Sequence, residues 1–242
     1  MKLVGERRAL AAVTFAFYAL VYFLIGSSGV QPQLAPALYA LAGVYGVAMF
    51  ALIAGYFWAR WYAVGVGLYG IITAAVGMWQ IGPEPVLLFM AATHGAATLM
   101  LWGEAMSQSY DGQTAWREKF HMDEHAVQRL GRSVIRAGVS LPFVLLYALM
   151  PKQGAAELVL SLAALALTGA GLRGLIRLRT WGVLALGAAG VLLVSLGAGE
   201  LAVADSGPSG PLAALRPLLG GGLLLLAAAP FARALARATR SH

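Results

Sequence analysis

The sequence predicts an all-α integral membrane protein with eight transmembrane helices. Three observations predict it. The chain is 60% hydrophobic and 11% charged, whereas a soluble domain carries about 25% charged residues. Its apolar residues gather into eight stretches, at roughly 9–25, 36–58, 61–81, 85–103, 133–150, 154–172, 181–199 and 212–231. Most approach the roughly 20 residues that cross about 30 Å of hydrocarbon. Eight crossings from a cytoplasmic N-terminus place 15 of the 17 Lys and Arg residues inside, leaving only Lys152 and Arg216 outside. Cytoplasmic loops carry such an excess. Seven crossings throw the Arg233, Arg237 and Arg240 tail outside and spoil the partition.

The same charges explain the net +7 as a topology signal and an attraction to anionic inner-leaflet lipid, not to nucleic acid. Cys is absent, which removes disulfides, thiol catalysis and thiolate metal sites. Arg outnumbers Lys 14 to 3, a composition expected of a GC-rich bacterial genome. The expected location is therefore a bacterial inner membrane, multi-pass, with both termini cytoplasmic.

Residues 1–25 have the basic start and apolar run of a signal sequence. Gly26, Ser27, Ser28 and Gly29 make a poor cleavage site, so a retained first span is expected. Spans two to four follow with short connections. Residues 1–103 are thus a first four-helix bundle, 104–132 a polar cytoplasmic loop, and 133–242 a second bundle. Arg136, Pro142, Arg216 and Pro217 weaken spans five and eight, although an Arg near a span end can reach the interface. Trp61 and Trp181 each follow an Arg-bearing inner turn and precede a small-residue helix. Gly/Pro-rich outer loops come next in both halves. The pattern fits either a tandem 4+4 duplication, with parallel repeats, or two ordinary hairpins with the same interfacial residues.

Seven of the nine Tyr lie in the first half, and the second half is nearly pure Ala, Leu, Gly and Val. Any polar pathway is expected in the first bundle. Tyr56, Trp58, Trp61, Tyr62 and Trp79 fit aromatic belts. Tyr18, Tyr45 and Tyr69 fall nearer mid-span, where a hydroxyl needs a partner on another helix. Gly43 and Gly46, Gly67 and Gly70, and Gly187 and Gly190 predict close helix approaches. Gly220, Gly221 and Gly222 predict a bend, a break or a tight packing point.

His94 is the only ionisable side chain well inside a span. It suits a proton relay or a substrate site, a haem iron less well because a second intramembrane His is lacking. The alternative is a neutral His bonded to a backbone carbonyl, to Thr93 or to a neighbouring Tyr. With Tyr18, Tyr45, Tyr69 and Gln80 it outlines a pathway, with Glu84 at the mouth.

Two further sites lie in or near the loop. His121 and His125 share a helical face at i and i+4, with Asp123 and Glu124 between. That spacing can ligate a divalent metal but is not the HExxH zinc pattern. Trp116, Phe120, Val127, Leu130 and Val134 recur at helical spacing among Arg117, Lys119, Arg129 and Arg132. They predict an amphipathic helix on the inner leaflet that runs into span five. The motif Gly169, Gly171, Gly174 matches GxGxxG but lies in a membrane helix without a preceding strand, so it is not a nucleotide loop.

The sequence thus points to a small transporter or channel-like protein for which no cofactor is expected, a divalent metal or haem being the lesser alternatives, with lipids and a homo-oligomer or larger membrane complex as partners. The alternatives are a non-catalytic membrane subunit or scaffold, and a membrane metalloenzyme acting on lipid through the His121 cluster.

Overall fold

A computed structural model describes residues 3–110, 113, 116, 118, 123–152, 154–203 and 210–240. It is all-helical among those residues: α1 Val4–Ser27, α2 Ala35–Ala54, α3 Ala59–Ile81, α4 Pro85–Met100, α5 Glu104–Ser109, α6 Glu124–Leu149, α7 Ala155–Ile176, α8 Thr180–Val203 and α9 Gly210–Arg240. A 3-10 turn, Pro32–Leu34, precedes α2.

Each apolar stretch of the sequence coincides with a helix. In hydrocarbon no water pairs with backbone groups, so a helix that satisfies its own N–H and C=O groups is the available answer. Seven of these helices are long and apolar enough to cross a membrane. The fourth stretch forms only the 16-residue helix α4, which rises about 24 Å. Among the described residues, seven of the eight expected spans reach that length. Pro85 starts α4 at a position that needs no N–H donor. Gly55, at φ +74°, ends α2 in the left-handed conformation.

The chain divides into two compact units, Met1–Gly131 and Arg132–His242. In the first, α1 packs on α2 and α4, and α3 packs on the same two helices, closing a four-helix ring. Adjacent arginines in the first turns of α1 tie off this ring. Arg7 donates to the carbonyls of Leu99 and Trp102 at the end of α4, and Arg8 donates to the Ile53 carbonyl at the end of α2. A cation at a helix C-terminus satisfies orphan carbonyls and opposes the negative dipole end. Tyr110 donates to the Leu52 carbonyl at 3.1 Å beside Arg8.

In the second unit α8 packs between α7 and α9. Helix α9 runs unbroken through Gly220–Gly222, so this triplet is a packing point. A Cβ on Gly221 would lie 2.8 Å from the Gly190 carbonyl oxygen, and one on Gly220 3.2 Å from Val144. The Gly171 and Gly174 positions of the GxGxxG match press against Gly182 of α8 in the same way. Gly43 and Gly46 depart from expectation, because nothing lies within 4 Å of a Cβ built on either.

Candidate functional site

The first unit gathers a histidine and several tyrosines at its centre. His94 and Tyr45 are fully buried, and Tyr18 and Tyr69 nearly so. The α3–α4 hairpin creates the room. Its two helices run antiparallel, so Gly77, Gly70 and Gly67 descend one face of α3 opposite Leu87, His94 and Thr98 of α4. A Cβ on Gly70 would sit 2.0 Å from His94 Cδ2, and one on Gly67 2.2 Å from Thr98 Oγ1. Only glycine admits an imidazole there.

The tautomer of His94 follows from its partners. Nδ1 lies 2.8 Å from the Met90 carbonyl oxygen, one turn back. A carbonyl only accepts, so Nδ1 carries the proton and Nε2 is the acceptor. The Tyr45 hydroxyl, 2.8 Å from Nε2, is then the donor. Tyr22 lies beside Tyr45. The one hydroxyl proton of Tyr45 is committed to His94, so a further neighbour of that oxygen can only donate to it. Tyr45 and His94 thus form a directed row that ends on the Met90 carbonyl. Tyr22 is half-buried at its outer end.

Tyr18 covers the imidazole, with ring centroids 4.1 Å apart. Its hydroxyl lies 2.7 Å from Thr93 Oγ1. Thr93 donates in turn to the Phe89 carbonyl at 2.8 Å, which makes Tyr18 the donor. The Tyr22 and Tyr45 rings lie 5.3 Å apart, and Phe15 closes the other side of Tyr45 at 6.1 Å.

Of the pathway residues expected from sequence, His94, Tyr45 and Tyr18 meet directly, and Tyr69 lies within electrostatic reach of Tyr45. Gln80 and Glu84 do not join them. Both are exposed at the α3–α4 turn, and the ten residues from Glu84 to His94 span about 15 Å of helix. Both His94 nitrogens are engaged within the protein, so binding a haem iron at Nε2 costs the Tyr45 bond. Thr93, expected as a partner of His94, is bonded to Tyr18 instead, and Tyr22 lies beside Tyr45 without having been singled out.

The other candidates are dispersed. His121 lies outside the described residues. Asp123 Oδ1 accepts from the Ala126 backbone N–H at 2.6 Å and so caps α6. Glu124 opens α6 and His125 is exposed on it. No group of three metal-ligating side chains stands together among the described residues.

Trp116 is turned inward rather than toward lipid. It is buried, stacked on Phe57 at 4.4 Å and edge-on to Trp61 at 6.3 Å. Val127, Leu130 and Val134 are buried too, while Arg129 and Arg132 are exposed. The amphipathic stripe exists, but its apolar side packs on protein. Arg117, Lys119 and Phe120 lie outside the described residues. Trp61 and Tyr62 are likewise buried instead of forming a belt, whereas Tyr56 and Trp79 are exposed.

Comparisons with protein families, with curated proteins and with solved structures found no match.

Proposed function

We propose that this chain is a small transporter or channel-like protein of a bacterial cytoplasmic membrane, with a proton-responsive pathway in its first unit. The observation that carries the reading is the buried His94–Tyr45 hydrogen bond, with the half-buried Tyr22 ring beside Tyr45. Such a row can reverse. When Nε2 takes a proton, Tyr45 must accept from His94 and turn its own proton toward Tyr22, which must then donate outward. Net transfer is complete when Nδ1 in turn releases its proton from the Met90 carbonyl to the opposite side and the row turns back; no permanent cavity is needed, in a segment where an ionisable group is costly unless it is used.

The positive-inside partition supports eight crossings, with both ends of the chain in the cytoplasm. In this reading α4 crosses as a short span, and the bilayer thins around it. A tandem 4+4 duplication is the lesser reading beside two ordinary hairpins, because Trp61 is buried and Trp181 exposed. The excess of Arg over Lys, with abundant Ala, Gly and Leu, fits the GC-rich genome of a bacterial source.

The test is proton flux into liposomes that hold a trapped pH dye. The wild-type protein is expected to dissipate a pH gradient. His94→Gln and Tyr45→Phe are expected to slow it at least tenfold while the protein stays folded. Equal rates in all three place the pathway elsewhere. No flux above empty liposomes returns the chain to the role of a non-catalytic membrane subunit.

A further inference from the structure

The second unit holds a cation cage that plays no part in the His94 row. Lys152, in the turn between α6 and α7, directs its ammonium inward, leaving its side chain 7% exposed. Nζ lies 2.9 Å from Glu157 Oε1, 4.0 Å from Glu200 Oε1 and 3.3 Å from the centre of the Tyr147 ring. Three helices supply the walls: Tyr147 from the end of α6, Glu157 from the first turn of α7 and Glu200 from the last turn of α8.

Among the described residues two carboxylates face one ammonium, which leaves one negative charge in excess. The nearby Arg216 is exposed and donates to Met150 Sδ. The Tyr147 hydroxyl and Glu200 Oε2 are buried and make no hydrogen bond among the described residues. A ring face and two carboxylates together suit a group with several N–H donors and a positive charge.

We propose that this cage is a recognition site for primary alkylammonium groups and that Lys152 is its tethered occupant. The geometry selects primary over quaternary ammonium. A 2.9 Å approach to Glu157 needs an N–H, which a quaternary nitrogen lacks. A methyl shell also keeps such a nitrogen farther from the ring than 3.3 Å. In the wild-type chain the tether gives Lys152 a high effective concentration, so a free amine competes poorly. Removing its charge opens the site.

The experiment is thermal unfolding of the full chain in Lys152→Met, which keeps the apolar stem, with Lys152→Ala as a second background. Propylammonium chloride, tetramethylammonium chloride and NaCl are compared at equal ionic strength. Propylammonium is expected to raise the unfolding temperature of either variant in a saturable way, with at least tenfold weaker saturation in the wild type. Adding Glu157→Gln is expected to weaken it a further tenfold or more. A propylammonium effect no larger than that of NaCl, or one of equal strength in the wild type, overturns the proposal. A free amine and an aminolipid headgroup share this chemistry. Nanodiscs of phosphatidylethanolamine and of phosphatidylcholine separate them. A gain in the former without added amine assigns the headgroup, a gain only with added propylammonium assigns a free amine, and no gain in either setting overturns the site.

Discussion

Arg136 donates to the carbonyl of Leu226 at 2.6 Å, and that carbonyl is the one Pro230 leaves without a helical partner. Proline has no N–H, so a proline inside a helix orphans the carbonyl four residues back. Arg136 on α6 supplies the missing donor to α9. One turn on, Ser140 donates to the Gly220 carbonyl at 2.7 Å. The sequence presents Arg136 as a charge that weakens a span. The structure gives that charge a specific acceptor.

This pairing predicts a compensating double substitution. Arg136→Met is expected to destabilise the protein by about 1.5–3 kcal/mol, the usual range for a charged hydrogen bond. In a Pro230→Ala background residue 230 regains an N–H, so the same change is expected to cost less than half as much. A double-mutant cycle on thermal unfolding in detergent measures the coupling. Strictly additive effects refute the pairing.

The imidazole of His94 lies where a Gly70 side chain would be. Gly70→Ala is expected to cost about 1–3 kcal/mol through overpacking and to abolish the His94–Tyr45 bond. Gly43→Ala adds a methyl in open space and is expected to be neutral or to stabilise by up to about 1 kcal/mol. Unfolding midpoints check the stabilities, and the imidazole nitrogen shifts in NMR report the bond. Equal effects at the two glycines contradict the hairpin register.

Apolar stretches marked the helices because a lipid-solvated chain has few other options. They marked α4 too long, because apolar composition does not stop at Met100, where the helix does. His94 was legible as an isolated ionisable group. Tyr22 was not, because a tyrosine toward the end of a span reads as an interfacial anchor until its helical phase against Tyr45 is known. Trp116 and Leu130 show the deeper limit. An apolar stripe says that water is excluded but not whether lipid or protein excludes it. Arg7 and Arg8 carry no sequence signal of their partners, because the carbonyls they cap are remote in sequence. The Gly67 and Gly70 spacing opposite Thr98 and His94 was present to be found. The short α3–α4 turn fixes the register closely enough to pair them.

Tyr110 predicts an alkaline weakness at the end of the first unit. Burial pushes its phenol above the ordinary value of 10.0, and the Arg8 guanidinium pulls it partly back. The fold favours the protonated form, so this contribution is whole below about pH 10. It is lost as pH rises through the higher folded value. Tyr110→Phe is expected to lose about 1 kcal/mol at neutral pH with the Leu52 bond, and to show a shallower fall in stability above pH 10. Unfolding followed with tyrosinate absorbance from pH 8 to 12 checks both. An unchanged alkaline slope assigns the fall to other tyrosines.

Leu178 is the one non-glycine residue with positive φ among those described, at +57°. It closes α7: the Arg179 N–H reaches the Gly174 carbonyl at 2.8 Å, and the Leu178 N–H reaches Leu175 at 3.0 Å. Those two bonds define a Schellman ending, whose left-handed position normally holds glycine. A leucine there carries roughly 1–2 kcal/mol of steric cost, part of which its half-buried side chain recovers by packing. Leu178→Gly is therefore expected to stabilise the chain by about 1 kcal/mol, about 2–4 °C in Tm for a protein of this size. Leu178→Ala keeps the Cβ clash and loses the packing, so it is expected to be neutral or worse. Parallel thermal unfolding of the two variants decides the matter. A gain in Leu178→Ala as large as that in Leu178→Gly shows that the side chain, not the backbone, is the source of the cost. A loss in Leu178→Gly shows that the leucine's packing outweighs the strain.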